Sequence, residues 1–284
     1  MPNDKYFNND KVKKNNNKYE KTINKKNPKP GLPYNSDSGF CALYRALSKL
    51  SVCSRKDSKD LILGGKITVN GIKAISIMQP VNIKHDKIAL NGKIIKAAKF
   101  EYIAVNKPIG YETTRPGKNI TSKTIYDVVP FALNKNLNPV GRLDKDSHGL
   151  IFLTNDNDFL NELTGDSNKI TKHYKVTVNV KLTDEQIEEF RTGILITKDG
   201  GALEKTKPCY IKEIGDKVYD IKINQGINRQ IRKMFEYFGS EVIDLFRYKI
   251  GNFDIKLLEN KNYINIKPEE VLIHSTIKKQ KIVQ

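Results

Sequence analysis

The sequence predicts a chain of the α+β class, divided into a small unit and a larger one, and three observations carry that expectation. Its 284 residues exceed what one compact core usually organises, since single domains run to roughly 100–200 residues. Stretches of period two, such as HYKVTVNV, interleave with stretches of helical period, such as INRQIRKMFEYFG, in no regular order, which argues for mixed packing over a repeating βαβ fold. The composition also changes along the chain, which predicts a basic disordered tail over 1–38, a first unit over 39–97, a second over 98–277 and a basic end over 278–284.

The tail is rich in Lys, Asn and Pro and has almost no apolar periodicity, so it cannot bury enough surface to offset the entropy of ordering. From Leu43 the pattern turns helical. Leu43, Leu47 and Leu50 share a face, then Ser54 with Asp57 forms a cap for a second helix that carries Leu61 and Ile62 inward and stops at Gly64-Gly65. Ile67 and Val69 alternate with polar neighbours before an Asn70-Gly71 turn, and Asn91-Gly92 closes another pair of short strands.

In the second unit, Tyr102 to Val105 reads as a buried strand broken by Lys107-Pro108 and Gly110. LIFLTN is a continuous apolar strand, and HYKVTVNV, KPCYIKEI and YDIKIN supply others. Thr183 opens a helix over DEQIEEFR, and Ile231, Met234, Phe235 and Phe238 stripe another that Gly239 ends.

Lys and Arg total 50 against 32 Asp and Glu, a net charge of +18. That excess predicts a polyanionic partner, nucleic acid ahead of an anionic membrane surface. No run approaches the roughly 18 apolar residues of a spanning helix, and the first residues lack the apolar core of a signal peptide. A soluble cytoplasmic protein is expected. The three cysteines, Cys41, Cys53 and Cys209, are odd in number without CxxC spacing, and the four histidines are scattered; a disulfide framework and a metal site are therefore not expected.

Two resemblances give these patterns a chemistry. The run LSVCSRKDSKDLILGGKITVNG resembles the alpha-L RNA-binding domain shared by a ribosomal protein and several RNA-modifying enzymes. It implies that Arg55, Lys56, Lys59 and Lys66, opposite Leu61 and Ile62, face RNA phosphates. The arginine such domains usually carry at the start of the first helix is Ala42 here, with Arg45 one turn later. GRLDKDSHGLIFLTND, at 141–156, matches nearly position for position the signature of the rRNA pseudouridine synthases of the RsuA family. KHYKVTV, GINRQIRKM, VNKPIG and LFRYKIGNFDIKLLENKNYINIKPEEV match further segments in order, so the likeness spans about Leu43 to Val271. Within the family, GLIFLTN, KHYKVTV and GINRQIRKMFEYFGSEV look most like the RluF type, which implies a large-subunit rRNA target, with small-subunit rRNA or tRNA as the alternative.

The resemblance implies a mixed, mostly antiparallel catalytic sheet that works without metal or organic cofactor. It assigns three roles: Asp144 as the nucleophile, Tyr174 stacked on the target base, and Arg232 paired with the Asp144 carboxylate. Converting uridine to pseudouridine breaks the glycosidic bond at N1, turns the uracil in place and rejoins it through C5. Such chemistry needs a carboxylate beside the ribose, a platform for the detached base and exclusion of water. A carboxylate stays ionised in a dry pocket only beside a cation, which an arginine supplies with a bidentate fork. Whether Asp144 attacks the sugar or takes a ribose proton is open at this level, and the Tyr174 phenol could also accept the C5 proton.

Arg142, ahead of Leu143, is a candidate for replacing the extruded base or for holding a phosphate or a loop carboxylate. Arg229 and Lys233 share the polar side of the Arg232 helix and are candidate RNA contacts. Asp146 and Ser147 read as turn formers, Leu153 and Ile231 as apolar walls, and His148 and His173 as structural. The competing reading, a silent RNA-binding assembly factor, predicts loss of one of the three motif residues; all three are present. A monomer acting on ribosomal RNA is the resulting expectation.

Overall fold

A computed structural model of the chain describes residues 40–50, 52–96, 99–117, 121–165 and 170–272. The expectations for 1–38 and 278–284 lie outside the described residues. The chain divides into two compact units, Met1–Ala98 and Lys99–Gln284.

The first unit contains β1 (Phe40–Ala42), α1 (Leu43–Lys49), α2 (Arg55–Leu63), β2 (Ile67–Val69), β3 (Ile72–Lys73), β4 (Pro80–Asn82), β5 (Ile88–Leu90) and β6 (Lys93–Ile94). Ser54 caps α2, accepting from the Asp57 amide at 3.1 Å and donating to its carboxylate at 2.7 Å. Asn70 (φ 53°) and Gly71 (φ 82°), like Asn91 (φ 49°) and Gly92 (φ 79°), both take positive φ, the geometry that matches a two-residue turn to strand twist. The resulting hairpins join as an antiparallel sheet in the order β3-β2-β5-β6, and β1 pairs with β4. Leu43, Leu47, Ile62, Ile67, Val69 and Ile88 form its core. Leu50 falls one residue beyond α1 and packs on that core from its edge.

The second unit runs β7 (Tyr102–Lys107), α3 (Ile125–Val128), α4 (Phe131–Asn134), β8 (Asn138–Pro139), β9 (His148–Thr154), α5 (Asn157–Thr164), β10 (Lys172–Val178) and α6 (Asp184–Thr192). It continues with β11 (Leu195–Thr197), β12 (Leu203–Lys205), β13 (Tyr210–Gly215), β14 (Val218–Ile223), α7 (Gln230–Tyr237), β15 (Val242–Ile250), β16 (Phe253–Asp254) and β17 (Tyr263–Asn265). Its main sheet has nine strands, seven in the order β13-β14-β10-β15-β9-β7-β17 with β16 beside β15 and β8 beside β9. Every pairing in it is antiparallel except that of β9 with β15. The sheet is thus mixed and mostly antiparallel.

Both faces of the sheet centre are covered, which explains the unbroken apolar run at LIFLT. Ile151 and Leu153 point into one core with Ile103 and Val105, while Leu150 and Phe152 point into the other with Ala104. Thr183 and Gln186 form a reciprocal capping box on α6. On α7, Ile231, Met234 and Phe235 are buried and Gly239 (φ 72°) follows the end of the helix.

One local feature of β15 positions the site. His173 pairs with Lys249 and Tyr174 with Arg247, so Tyr248 is skipped by a bulge. A bulge turns one strand's side chains relative to its partner, and here it sets Arg247 opposite Tyr174 (both buried). At the parallel seam Gly149 (φ 107°) faces Arg247, and a Cβ there would lie 2.3 Å from the Arg247 carbonyl oxygen. The strands approach this closely because position 149 has no side chain.

Candidate active site

The loop from β8 to β9 carries Asp144 and is braced from three sides. Thr113 clamps Leu143, its hydroxyl donating to the Leu143 carbonyl at 2.7 Å and accepting from the Leu143 amide at 3.2 Å. The Ser147 amide donates to the Asp144 carbonyl at 3.1 Å, closing a turn, and the Gly110 amide donates to the Lys145 carbonyl at 2.7 Å. Beneath it, the fully buried Lys107 donates to the carbonyls of Tyr111 at 2.7 Å and Pro108 at 3.0 Å. Burial lowers the Lys107 pKa to about 8, against the opposing pull of Asp144 and Asp146. The Thr113 clamp and the Gly110–Lys145 bond thus hold the aspartate loop from outside, while Lys107 braces the neighbouring turn that carries Gly110.

Asp144 opens into a cavity of about 800 Å³ whose walls include Leu143, Tyr174, Arg229, Ile231, Leu245 and Arg247. That volume lies within the usual range of ligand sites, roughly 300–1,000 Å³. Its remaining charged lining is Arg142, Lys172, Lys198 and Lys207 against Asp199 and Glu204, a cationic balance suited to a phosphate backbone. Lys172 is pushed down to about 8 by burial and by the nearby Arg247.

The expected pairing of Arg232 with Asp144 is corrected by the structure. Arg232 donates to the carbonyls of Val242 at 2.8 Å and Asp146 at 3.2 Å and to the Ser147 hydroxyl at 3.3 Å, and its ion pair is with the Asp146 carboxylate at 3.2 Å. The physical reason is its place on α7. Arg232 is buried in the first turn of the helix, and its fork is taken up by the closing end of the aspartate turn. Arg229, the residue preceding α7, has left-handed backbone (φ 51°) and lies 3.7 Å from the Asp144 carboxylate and 3.5 Å from that of Asp146. Asp146 therefore binds both arginines and is more than a turn former.

Tyr174 is buried on β10 and lines the cavity, with its phenol oxygen 3.5 Å from an Arg247 Nη. Ile231 is a cavity wall as expected, whereas Leu153 is buried in the core and is absent from the lining. Arg142 is exposed at the cavity rim. Lys233 pairs with Asp199 at 3.2 Å. His148 pairs with Asp244 at 2.9 Å and stacks on Phe246, and His173 lies beside Tyr248; neither histidine is among the lining residues. In the first unit Arg55, Lys56, Lys59 and Lys66 are all exposed.

Sequence reasoning did not single out Lys107, Thr113, Lys172 or Arg247. A signal existed for the last: an arginine inside the apolar strand LFRYKI has no place there unless something bonds it.

Residues 101–237 match the family model for RNA pseudouridylate synthases. A solved structure titled as a pseudouridylate synthase superposes with a TM-score of 0.58 at 25% identity, covering 81% of this chain and 98% of that one. The "Ribosomal large subunit pseudouridine synthase B" of Bacillus subtilis (strain 168) is 29% identical over 81% of this chain and 93% of its own. The "Dual-specificity RNA pseudouridine synthase RluF" of Salmonella typhi is 36% identical over 234 residues, 81% of this chain and 77% of that relative. The chain belongs to the RsuA family of RNA pseudouridine synthases, and to its RluF type. As a pseudouridine synthase it is an isomerase acting on RNA, and the fold of its second unit is that of the family.

Proposed function

We propose that this chain converts a uridine of large-subunit ribosomal RNA to pseudouridine in the cavity bounded by Asp144 and Tyr174. The observation that carries this reading is that these two residues, from separate motif strings on separate elements, line one cationic cavity. Asp144 is the catalytic carboxylate and Arg229 is the cation nearest to it. Tyr174 is the platform for the uracil. Arg232 acts through Asp146 and the turn, as a positioning residue.

The target base is extruded from folded RNA to reach Asp144, at a cost of a few kcal/mol. Phosphate contacts from Arg142 and Arg229, which line the cavity, and from Lys233, one turn beyond Arg229, offset that cost. Once the N1 bond to the ribose is broken, the apolar walls at Leu143, Ile231 and Leu245 keep water from the intermediate while the ring turns. The bond then re-forms from C5; its proton passes to a base in the site and N1 takes one up, so no atom is gained or lost overall. The first unit, read as an alpha-L domain over 39–97, adds phosphate contacts from Arg55, Lys56, Lys59 and Lys66. The large-subunit assignment draws on the motif likeness and on the name of the Bacillus relative. Among the described residues no helix is long and apolar enough to cross a membrane; we infer a cytoplasmic monomer.

Mapping pseudouridines by carbodiimide-blocked reverse transcription in a strain lacking the gene tests this directly. The expected result is one missing site in large-subunit rRNA, restored by wild type and not by Asp144→Asn. An unchanged map would overturn the reading, and a lost tRNA or small-subunit site would move the target.

A further inference from the structure

Arg247 is an arginine where a sheet core would ordinarily place a hydrophobe. It is only 5% exposed, and no carboxylate lies within ion-pair distance of it among the described residues. A buried cation without a counter-charge is costly to take out of water. Its bond to the Leu150 carbonyl offsets part of that cost, and the charge itself calls for a further reason. Its bonds point elsewhere: Nε donates to the Leu150 carbonyl at 2.7 Å, and Nη1 lies 3.4 Å from the Arg142 carbonyl and 3.5 Å from the Tyr174 phenol oxygen. Nη2 has no partner.

These three acceptors belong to three separate parts of the site. Leu150 is in the strand that leaves the aspartate loop, Arg142 lies two residues before Asp144, and Tyr174 is the proposed base platform. The β15 bulge sets Arg247 opposite Tyr174, and the missing side chain at Gly149 lets its backbone pack against β9. Two local distortions thus converge on one guanidinium.

We propose that Arg247 is a positioning residue for the isomerisation, fixing the separation between the Asp144 loop and the Tyr174 ring through one rigid fork. A guanidinium suits this task because its donors diverge in one plane at set angles, which a lysine ammonium does not reproduce. The proposal rests on the reading of this cavity as the catalytic site.

The test uses the full chain and ribosomal RNA from a strain lacking the gene. Arg247→Lys keeps the charge and loses the fork. Its kcat should fall roughly a hundredfold, the scale expected for an ångström of misplacement, with KM within about threefold of wild type. Tyr174→Phe, which removes only the hydroxyl, should cost roughly tenfold less in the Arg247→Lys background than in wild type, as coupled neighbours do. Strictly multiplicative losses, an unchanged kcat or a rise confined to KM would each overturn the proposal. If calorimetry shows that Arg247→Lys has lost its fold, the wild-type guanidinium resonances decide it. Tyr174→Phe must then shift the Arg247 Nη signal, and an unmoved signal overturns the contact. A wild-type chain that forms no pseudouridine defeats the functional reading instead; an active wild type with multiplicative losses defeats this proposal alone.

Discussion

Replacing Gly149 by alanine puts a methyl group into the parallel seam between β9 and β15. The added Cβ would lie 2.3 Å from the Arg247 carbonyl oxygen and 2.9 Å from a ring carbon of Phe246. The first is backbone and cannot rotate away. Gly149 also has φ 107°, where an L residue is strained by roughly 1–3 kcal/mol, and overpacking at such a site typically adds about 1–3 kcal/mol. A total of roughly 4 kcal/mol is expected. For a domain of this size each kcal/mol lowers Tm by roughly 2–4 °C, so calorimetry of the full chain should show one transition falling by about 8–16 °C. Since the residue facing Gly149 is Arg247, activity measured well below that transition should also fall, by as much as roughly a hundredfold if the strand shifts by an ångström. A variant with unchanged melting and full activity would show that the two strands do not approach as described, and the account of Arg247 would lose its structural basis.

The two arginines of the α7 region should separate cleanly. Arg232→Gln strips partners from buried carbonyls and should destabilise by about 2 kcal/mol, while Arg229→Gln, at an exposed pair, should stay within about 0.5 kcal/mol in denaturant titrations. Lys107 binds its proton less tightly when folded, near pH 8, than at its ordinary 10.5. Between those values the unfolded chain holds the extra proton, so this group makes stability rise with pH, by up to about 1.4 kcal/mol per unit. Below pH 8 both states are protonated and the slope vanishes. The stability difference between wild type and Lys107→Met should therefore move in favour of wild type from pH 8 to 10; a constant difference would count against the buried ammonium. Replacing Arg55, Lys56, Lys59 and Lys66 with alanine should flatten the dependence of log RNA affinity on log salt by roughly 0.7–0.9 for each lost phosphate contact. An unaltered slope would remove that face from the interface.

Local physics made much of this molecule readable from its residue order. The Ser54 cap, the Asn-Gly turns, the Thr183 box and the stripe of α7 depend on neighbours within a few positions, and each appears where periodicity and cap chemistry put it. Long motif strings nominated Asp144 and Tyr174 as site residues, and the structure puts both in the lining of one cavity. The partners of the charges were not legible in the sequence. Arg229 and Arg232 lie on the same short segment, and which of them reaches Asp144 depends on the left-handed backbone at Arg229 and on the depth of Arg232 beneath the turn. Arg247 escaped notice because its role comes from a bulge, a parallel pairing and a glycine about a hundred residues away in the chain. Residue types and local spacing specify elements and nominate chemistry. The aim of a buried charge is set by long-range packing, where one shifted register decides which side chains share a cavity.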